Sequence, residues 1–348
     1  MEGEGQDVRY MQRALELAAH GLGTTSPNPP VGAVIVGQGG VVLGEGFHAQ
    51  AGQPHAERLA LADARSKGNG GLLKGSTIYV TLEPCSSYGR TPPCTEGILE
   101  AGIGRVVYGS VDPDERHRGR ADALLKAAGV SVQGGVCKAA CDRFLRPWMH
   151  AVTTKRPWVL AKTACTLDGR LTRAKERWLS GEESLRYVHD LHLWSDAILV
   201  GGNTVRSDDP SLTIRTPNLP VTAIKKQPWR VVLTQNRKNL PADAKIFTDA
   251  HADRTLVYEG VEDLRALLES LYKEQGVVNL MLECGGRLLR HFLEEGLVDE
   301  WVQVITPTIG GGGEFLLPGG FLPAECHFTR ESLTQLGADL ILRGTLDR

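Results

Sequence analysis

A His-Ala-Glu triplet stands at His55–Glu57, and the run PCSSYGRTPPC follows at Pro84–Cys94. One imidazole and two thiolates, His55, Cys85 and Cys94, would give a tetrahedral zinc ion three protein ligands. The fourth position would be left to a water whose pKa the metal brings towards about 7. Glu57 is two residues from His55. It is not needed as a ligand, and a carboxylate there can take a proton from the water and deliver it to a leaving amine. A structural zinc site normally closes with a fourth protein ligand and would leave Glu57 idle. Two buried cysteines and a chance HAE are the bland alternative, but the joint pattern at strand and helix edges favours metal. Cys137 and Cys141 lie four apart on a predicted helix without a His or third Cys nearby, and read as core. His20, His150, His291 and His327 read the same way.

These residues need elements to hold them. Apolar spacing predicts a helix over Asp7–Ala19, with Gly21 as its stop. TTSPNPP is a loop. VGAVIV and VVLGEGFH form a hairpin around QGG, and His55–Arg65 is a second helix. STIYVTL is a buried strand, placing Cys85 just past its end. PCTEGILEAG is a helix with Pro near its start and Gly at its end. RVVYGSV (strand), GRADALLKAAG (helix) and SVQGGV (short strand) follow. The pattern pauses at RPWMHAVTTKRPW, which places a domain boundary near Pro147–Pro157: residues 1–150 form one domain and 151–348 another. Strands are then predicted at PWVLAKTA, DAILVGG, WRVVLT, RTLVYEG, VVNLMLE and DEWVQVIT. Helices are predicted at GEESLRYVHDLHLW, EDLRALLESLYKE and GRLLRHFLEEG. Alternating strands and helices make both domains α/β.

Composition narrows the function. The 348 residues are 41% hydrophobic and 23% charged, with net charge -2, as in an ordinary enzyme. Residues 1–150 carry 15 basic and 15 acidic side chains, and neither half has the basic excess of a nucleic-acid surface. The balanced charge and the lack of an aromatic–basic stripe also speak against a nucleic-acid editing or binding protein. No apolar run approaches the roughly 18 to 20 residues that span a bilayer, and the acidic start MEGEGQDVRY is unlike a secretory signal. Seven scattered cysteines are not a disulfide framework. A cytoplasmic protein is expected.

HxE followed by a PC…C pair resembles the signature of zinc deaminases, here with nine positions between the cysteines rather than three. Together with TSPNPPVGAVIV upstream, it resembles the bifunctional deaminase–reductase family of riboflavin biosynthesis (RibD type). AKTACTLDGRL, DAILVGGNTVRSDDPSLTIR and LMLECGG…GLVDE are similar to that family's reductase domain. The resemblance implies a cytidine-deaminase-like α/β/α domain followed by a dihydrofolate-reductase-like α/β domain. It implies a diaminopyrimidinone bearing a ribosylamino 5′-phosphate as substrate, Zn2+ and NADPH as cofactors, no nucleic-acid or membrane partner, and a homodimer formed through the second domain. The first domain would exchange a ring amine for oxygen, and the second would reduce the ribosyl group to ribityl.

Carried over, His55, Cys85 and Cys94 hold zinc and Glu57 shuttles protons. Asn28 binds the pyrimidine edge, His48 and Arg90 face the ribose phosphate, and Asp112 is a substrate position. A guanidinium fork at Arg90 suits phosphate. In the second domain Lys162 is the expected catalytic group, with Asp168 in the LDGR turn. Cys165, Trp178, Thr204, Asp208, Gly285 and Gly286 fall at cofactor positions. Gly285 and Gly286 open a helix whose free N–H groups suit a phosphate. Leu212, Arg215 and Glu283 fall at substrate positions, with Arg215 as phosphate partner. The chain departs from the family's usual residues at several points. Ser87 replaces His, Asp114 replaces Asn, Cys284 replaces Gly and Gln235 replaces Ser. Glu176 stands where a substrate serine is usual, and His192 where a substrate arginine is usual; a protonated His192 could still bind phosphate. The segment before Trp178 is short. Two readings follow: both activities, or a deaminase whose second domain serves only packing or dimerisation.

Overall fold

The computed structural model describes residues 2–88, 92–115, 117–172, 179–215 and 227–347. It divides into two compact units, Met1–Lys155 and Arg156–Arg348.

In the first unit, α1 (Glu2–Ala19) leads into the hairpin β1 (Gly32–Val36) and β2 (Val42–Phe47). Then come α2 (Ala56–Ser66), β3 (Thr77–Leu82), α3 (Cys94–Glu100), β4 (Arg105–Ser110), α4 (Arg120–Ala127), β5 (Ser131–Gly134) and α5 (Lys138–Thr154). The sheet runs β2-β1-β3-β4-β5. β1 is antiparallel to both neighbours, and β3, β4 and β5 are parallel. Every residue of β1 is buried, so both of its faces must be covered. Val34 and Val36 pack with Met11, Ala14 and Leu17 of α1 and Cys141 of α5. On the opposite face α2 lies directly on β2. A Cβ at Gly46 would stand 2.5 Å from the Ala60 nitrogen and 2.6 Å from the Ala56 oxygen. Glycine is therefore required there for strand and helix backbones to meet, and the contact sets where α2, and His55 before it, begins.

The expected pause around residues 146–158 is instead mostly helix. α5 runs through Pro147 and buries Cys141, Leu145, Trp148 and Ala151 at helical spacing. That apolar stripe outweighs the cost of an interior proline, about 3 kcal/mol. The helix carries the first unit through the expected 150/151 boundary to Lys155, whose φ of 61° ends it.

The second unit comprises β6 (Trp158–Thr166), α6 (Glu182–Trp194), β7 (Ala197–Gly201), α7 (Gly202–Asp208), β8 (Trp229–Thr234), α8 (Lys245–Thr248) and β9 (Thr255–Glu259). They are followed by α9 (Leu264–Gln275), β10 (Asn279–Glu283), α10 (Gly286–Glu294), β11 (Glu300–Thr306), β12 (His327–Leu336) and β13 (Asp339–Asp347). The sheet order is β12-β13-β11-β6-β10-β7-β8-β9. β6 to β11 are the six predicted strands and pair in parallel. Alternation splits their side chains between two cores. Val159, Ala161, Leu280 and Leu282 face α9 and α10, while Met281, Val302 and Val304 share the other core with Val188 and Leu191 of α6. The antiparallel hairpin β12–β13 was not foreseen: no residue of β12 is buried, so it lacks an apolar alternation. Among the described residues, no helix is long and apolar enough to cross a membrane.

Candidate functional site: a His–Cys–Cys centre and a Lys–Glu–His cluster

The first unit gathers its candidate ligands at helix starts and the end of a parallel strand. His55 is the residue before the first turn of α2, Cys94 opens α3, and Cys85 lies just past β3. The Cys85 and Cys94 sulfurs lie 3.5 and 3.4 Å from His55 Nδ1. Among the described residues these three form the one group of His, Cys, Asp or Glu donors close enough to share a metal ion. Two features pin them. The Cys94 N–H donates to the Cys85 sulfur at 3.3 Å, and Arg58 Nη2 donates to the Pro93 carbonyl at 2.9 Å, tying the start of α3 to α2. The Cys94 thiol and His55 hold the Cys85 thiol well below its usual range, whereas the Cys85 sulfur and burial push Cys94 up. A soft N/S/S donor set suits zinc.

Glu57 is buried in the first turn of α2. Burial, then the nearby Cys85 sulfur, push its carboxyl up, and it hydrogen-bonds the Cys94 thiol. It therefore stands beside the donor set without belonging to it. His48 is also buried, its ring edge-on to His55 at 5.3 Å between centroids. Its Nδ1 lies 3.1 Å from the Pro54 carbonyl, which can only accept. Nε2 is then the acceptor for Asn28 Nδ2 at 3.1 Å. His48 therefore orients the Asn28 side chain. Asp112 is buried past the end of β4, and burial pushes its carboxyl up to about 6. Arg90 lies outside the described residues. Ser87 Oγ lies 3.2 Å from His117 Nδ1, so an imidazole stands beside the position where the family commonly has one.

Glu83 was not singled out from sequence. It sits past β3, two residues before Cys85, and is buried. Its Oε2 accepts the N–H of Asp112 at 3.3 Å and of Gly119 at 3.1 Å, joining the cysteine loop to the Asp112 loop. A carboxylate closing a buried apolar strand was the available signal.

In the second unit, register brings the chemistry together. Glu283, last in β10, pairs with Lys162 in β6, so both project towards the α6 face. Lys162 Nζ lies 3.8 Å from Glu283 Oε1, and His192 Nε2 lies 3.3 Å from Glu283 Oε2. Burial would raise the Glu283 carboxyl, but His192 and Lys162 hold it well below the usual range. The segment after α7 runs alongside. Arg230 Nη1 donates to the Ser211 carbonyl at 3.2 Å while the guanidinium grips Asp249. The Gln227 amide oxygen accepts the Ile214 N–H at 2.7 Å. Leu212 adopts a left-handed φ of 50° and buries its side chain in the α6-side core, so its side chain is packed rather than presented. Arg215, at the end of this segment, is exposed.

The remaining expected positions are spread more widely. Cys165 lies on the face opposite Lys162 by alternation, and its buried sulfur accepts from Gln303 Nε2 at 2.9 Å. Thr204 and Asp208 lie on α7. Gly285 precedes the first turn of α10, and a Cβ there would meet nothing within 4 Å. Gly286 has a packing reason instead: its Cβ would stand 2.5 Å from the Leu316 oxygen. Asp168 is engaged by the Thr166 hydroxyl at 2.6 Å and by the Gly310 and Gly311 N–H groups at 2.8 Å each. It braces a turn. Trp178 and Glu176 lie outside the described residues.

Comparison with known proteins matches this geometry to a family. The model of the cytidine and deoxycytidylate deaminase zinc-binding region matches residues 4–110, and that of the RibD C-terminal domain matches residues 157–342. The riboflavin biosynthesis protein RibD of Aquifex aeolicus is 37% identical, covering 97% of this chain and 97% of its own. The chain belongs to the RibD family. Among solved structures, Acinetobacter baumannii RibD superimposes with a TM-score of 0.89 at 34% identity, covering 99% of this chain and all of its own. A Thermotoga maritima protein described as a diaminohydroxyphosphoribosylaminopyrimidine deaminase/5-amino-6-(5-phosphoribosylamino)uracil reductase gives 0.88 at 30% identity, with 99% of each chain covered. The RibD match extends through both units. A deaminase-like domain is thus followed by a dihydrofolate-reductase-like domain, and the chain is a bifunctional enzyme of riboflavin biosynthesis.

Proposed function

We propose that the first unit hydrolytically deaminates 2,5-diamino-6-ribosylamino-4(3H)-pyrimidinone 5′-phosphate, and that the second reduces the ribosyl group of the product to ribityl with NADPH. The observation that carries the first step is the His55–Cys85–Cys94 group with Glu57 buried beside it. These three residues would hold zinc, which when bound supplies a Lewis acid that activates water at neutral pH. Glu57 takes the proton as water adds to the ring carbon and returns it to the departing amine. The C–N bond breaks, ammonia leaves and a carbonyl remains. Asn28, oriented by His48, supplies an amide oxygen for the pyrimidine edge.

In the second unit, Lys162 beside Glu283 faces the opened ribosyl carbon and polarises it, while NADPH supplies the hydride. Arg215, exposed on its braced segment, takes the phosphate. Thr204, Asp208 and the open helix start at Gly285 are the cofactor positions, and that start leaves room for a cofactor phosphate. Two further readings accompany this one. None of the seven cysteines is in a disulfide, which suits the cytoplasm. The ten-residue edge strand β12, exposed along its length with Phe328 and Leu333 outward, suits pairing with a second copy of the chain. Sedimentation as a single chain would exclude that dimer.

Metal removal tests the division of labour. A strong chelator should remove one zinc per chain and abolish ammonia release, and added Zn2+ should restore it. Reduction of separately supplied deaminated substrate should continue throughout. Undiminished ammonia release from the metal-free chain would contradict the assignment.

A further inference from the structure

α6 carries two histidines three residues apart, His189 and His192, on neighbouring positions of the helix surface. Their rings meet edge-on at 5.4 Å between centroids. His189 is half-buried, whereas His192 is only 3% exposed. Both nitrogens of the His192 ring face oxygens of this chain. Nδ1 lies 3.3 Å from the Thr213 carbonyl and Nε2 lies 3.3 Å from Glu283 Oε2. A carbonyl can only accept, so Nδ1 carries a hydrogen. Nε2 meets Glu283 as a charge contact without a hydrogen bond, and burial gives the ring no open face to a ligand. An arginine can reach past such neighbours to a phosphate, but the shorter side chain of a histidine only 3% exposed cannot.

The two contacts lead to different parts of the reductase site. One reaches Glu283, which is flanked on its other oxygen by Lys162. The other reaches Thr213, in the segment that Arg230 holds at Ser211 and Gln227 holds at Ile214. Arg215 follows directly. Resting on the reductase reading above, we propose that His192 is a positioning residue and not a phosphate ligand. Through Nε2 it fixes Glu283 against Lys162, and through Nδ1 it fixes the segment that presents Arg215.

Two substitutions separate these contacts, because each amide nitrogen replaces one ring nitrogen. Asn places its amide nitrogen near the site of Nδ1, and Gln places its amide nitrogen near that of Nε2. NADPH consumption is followed with the deaminated substrate, with and without its 5′-phosphate, and NADPH binding serves as the fold control. His192→Asn keeps the Thr213 contact and loses the Glu283 contact. It should lower kcat about tenfold or more, with KM within about twofold, and do so for both substrates. His192→Gln does the reverse. It should raise KM for the phosphorylated substrate about tenfold, with kcat within about twofold. The inference is overturned if both variants raise only KM, and only for the phosphorylated substrate, because that marks a direct phosphate ligand. Unchanged constants in both also overturn it. A parent chain that releases ammonia but consumes no NADPH would instead defeat the reductase reading itself, and this inference with it.

Discussion

Glu57→Gln should abolish ammonia release while zinc stays bound at one ion per chain. The carboxylate is not among the three metal donors, so its amide leaves them in place. The amide fits the same buried pocket but cannot take a proton. General acid–base catalysis by a positioned side chain contributes about 10²- to 10⁴-fold. In the proposed step one group serves both the incoming water and the departing amine, so a loss near the upper end, about 10⁴-fold, is expected. Reduction of deaminated substrate by the second unit should be unchanged. Ammonia release, zinc content and NADPH oxidation measured on one preparation decide the matter. Deamination at the parent rate would remove Glu57 from the mechanism, whereas loss of zinc together with activity would make it a ligand.

Lys162→Met should give the converse pattern. Methionine keeps most of the side-chain length in a site where Lys162 is largely buried against Glu283. What disappears is the charge proposed to polarise the ribosyl carbon, and removing one such electrostatic group costs about 10²- to 10³-fold in kcat. Glu283 keeps His192 as its partner, so the strand pairing of β6 with β10 should survive. NADPH oxidation should fall by about that factor while ammonia release continues. Reduction at the parent rate would refute the role given to Lys162.

The metal site was legible because its chemistry restricts residue types so tightly. Only His and Cys supply the N/S/S donors, and their positions beside predicted element ends allow convergence. The six parallel strands were legible as short apolar runs bounded by turns. The second half of α5 was not, because the run from Pro147 to Pro157 reads as a pause until Cys141, Leu145, Trp148 and Ala151 are seen on one buried face. β12 was invisible because nothing buries it. The second site was legible only through family likeness. Lys162 and Glu283 are 121 residues apart and meet through a strand register, which no local pattern encodes. The contacts of His192 depend in addition on how α6 lies across that sheet. The contact of His48 with Asn28 likewise depends on packing between the loops that carry them.

The most direct test of two activities in one chain is the mass of the product formed from the diaminopyrimidinone ribosylamino phosphate by zinc-loaded protein with NADPH. Exchange of NH for O adds about 1 Da, and hydride plus proton adds about 2 Da more. The full gain of about 3 Da is expected with NADPH and a gain of about 1 Da without it. A product that stops at the first gain with NADPH present would contradict the account and leave the second unit without its chemistry.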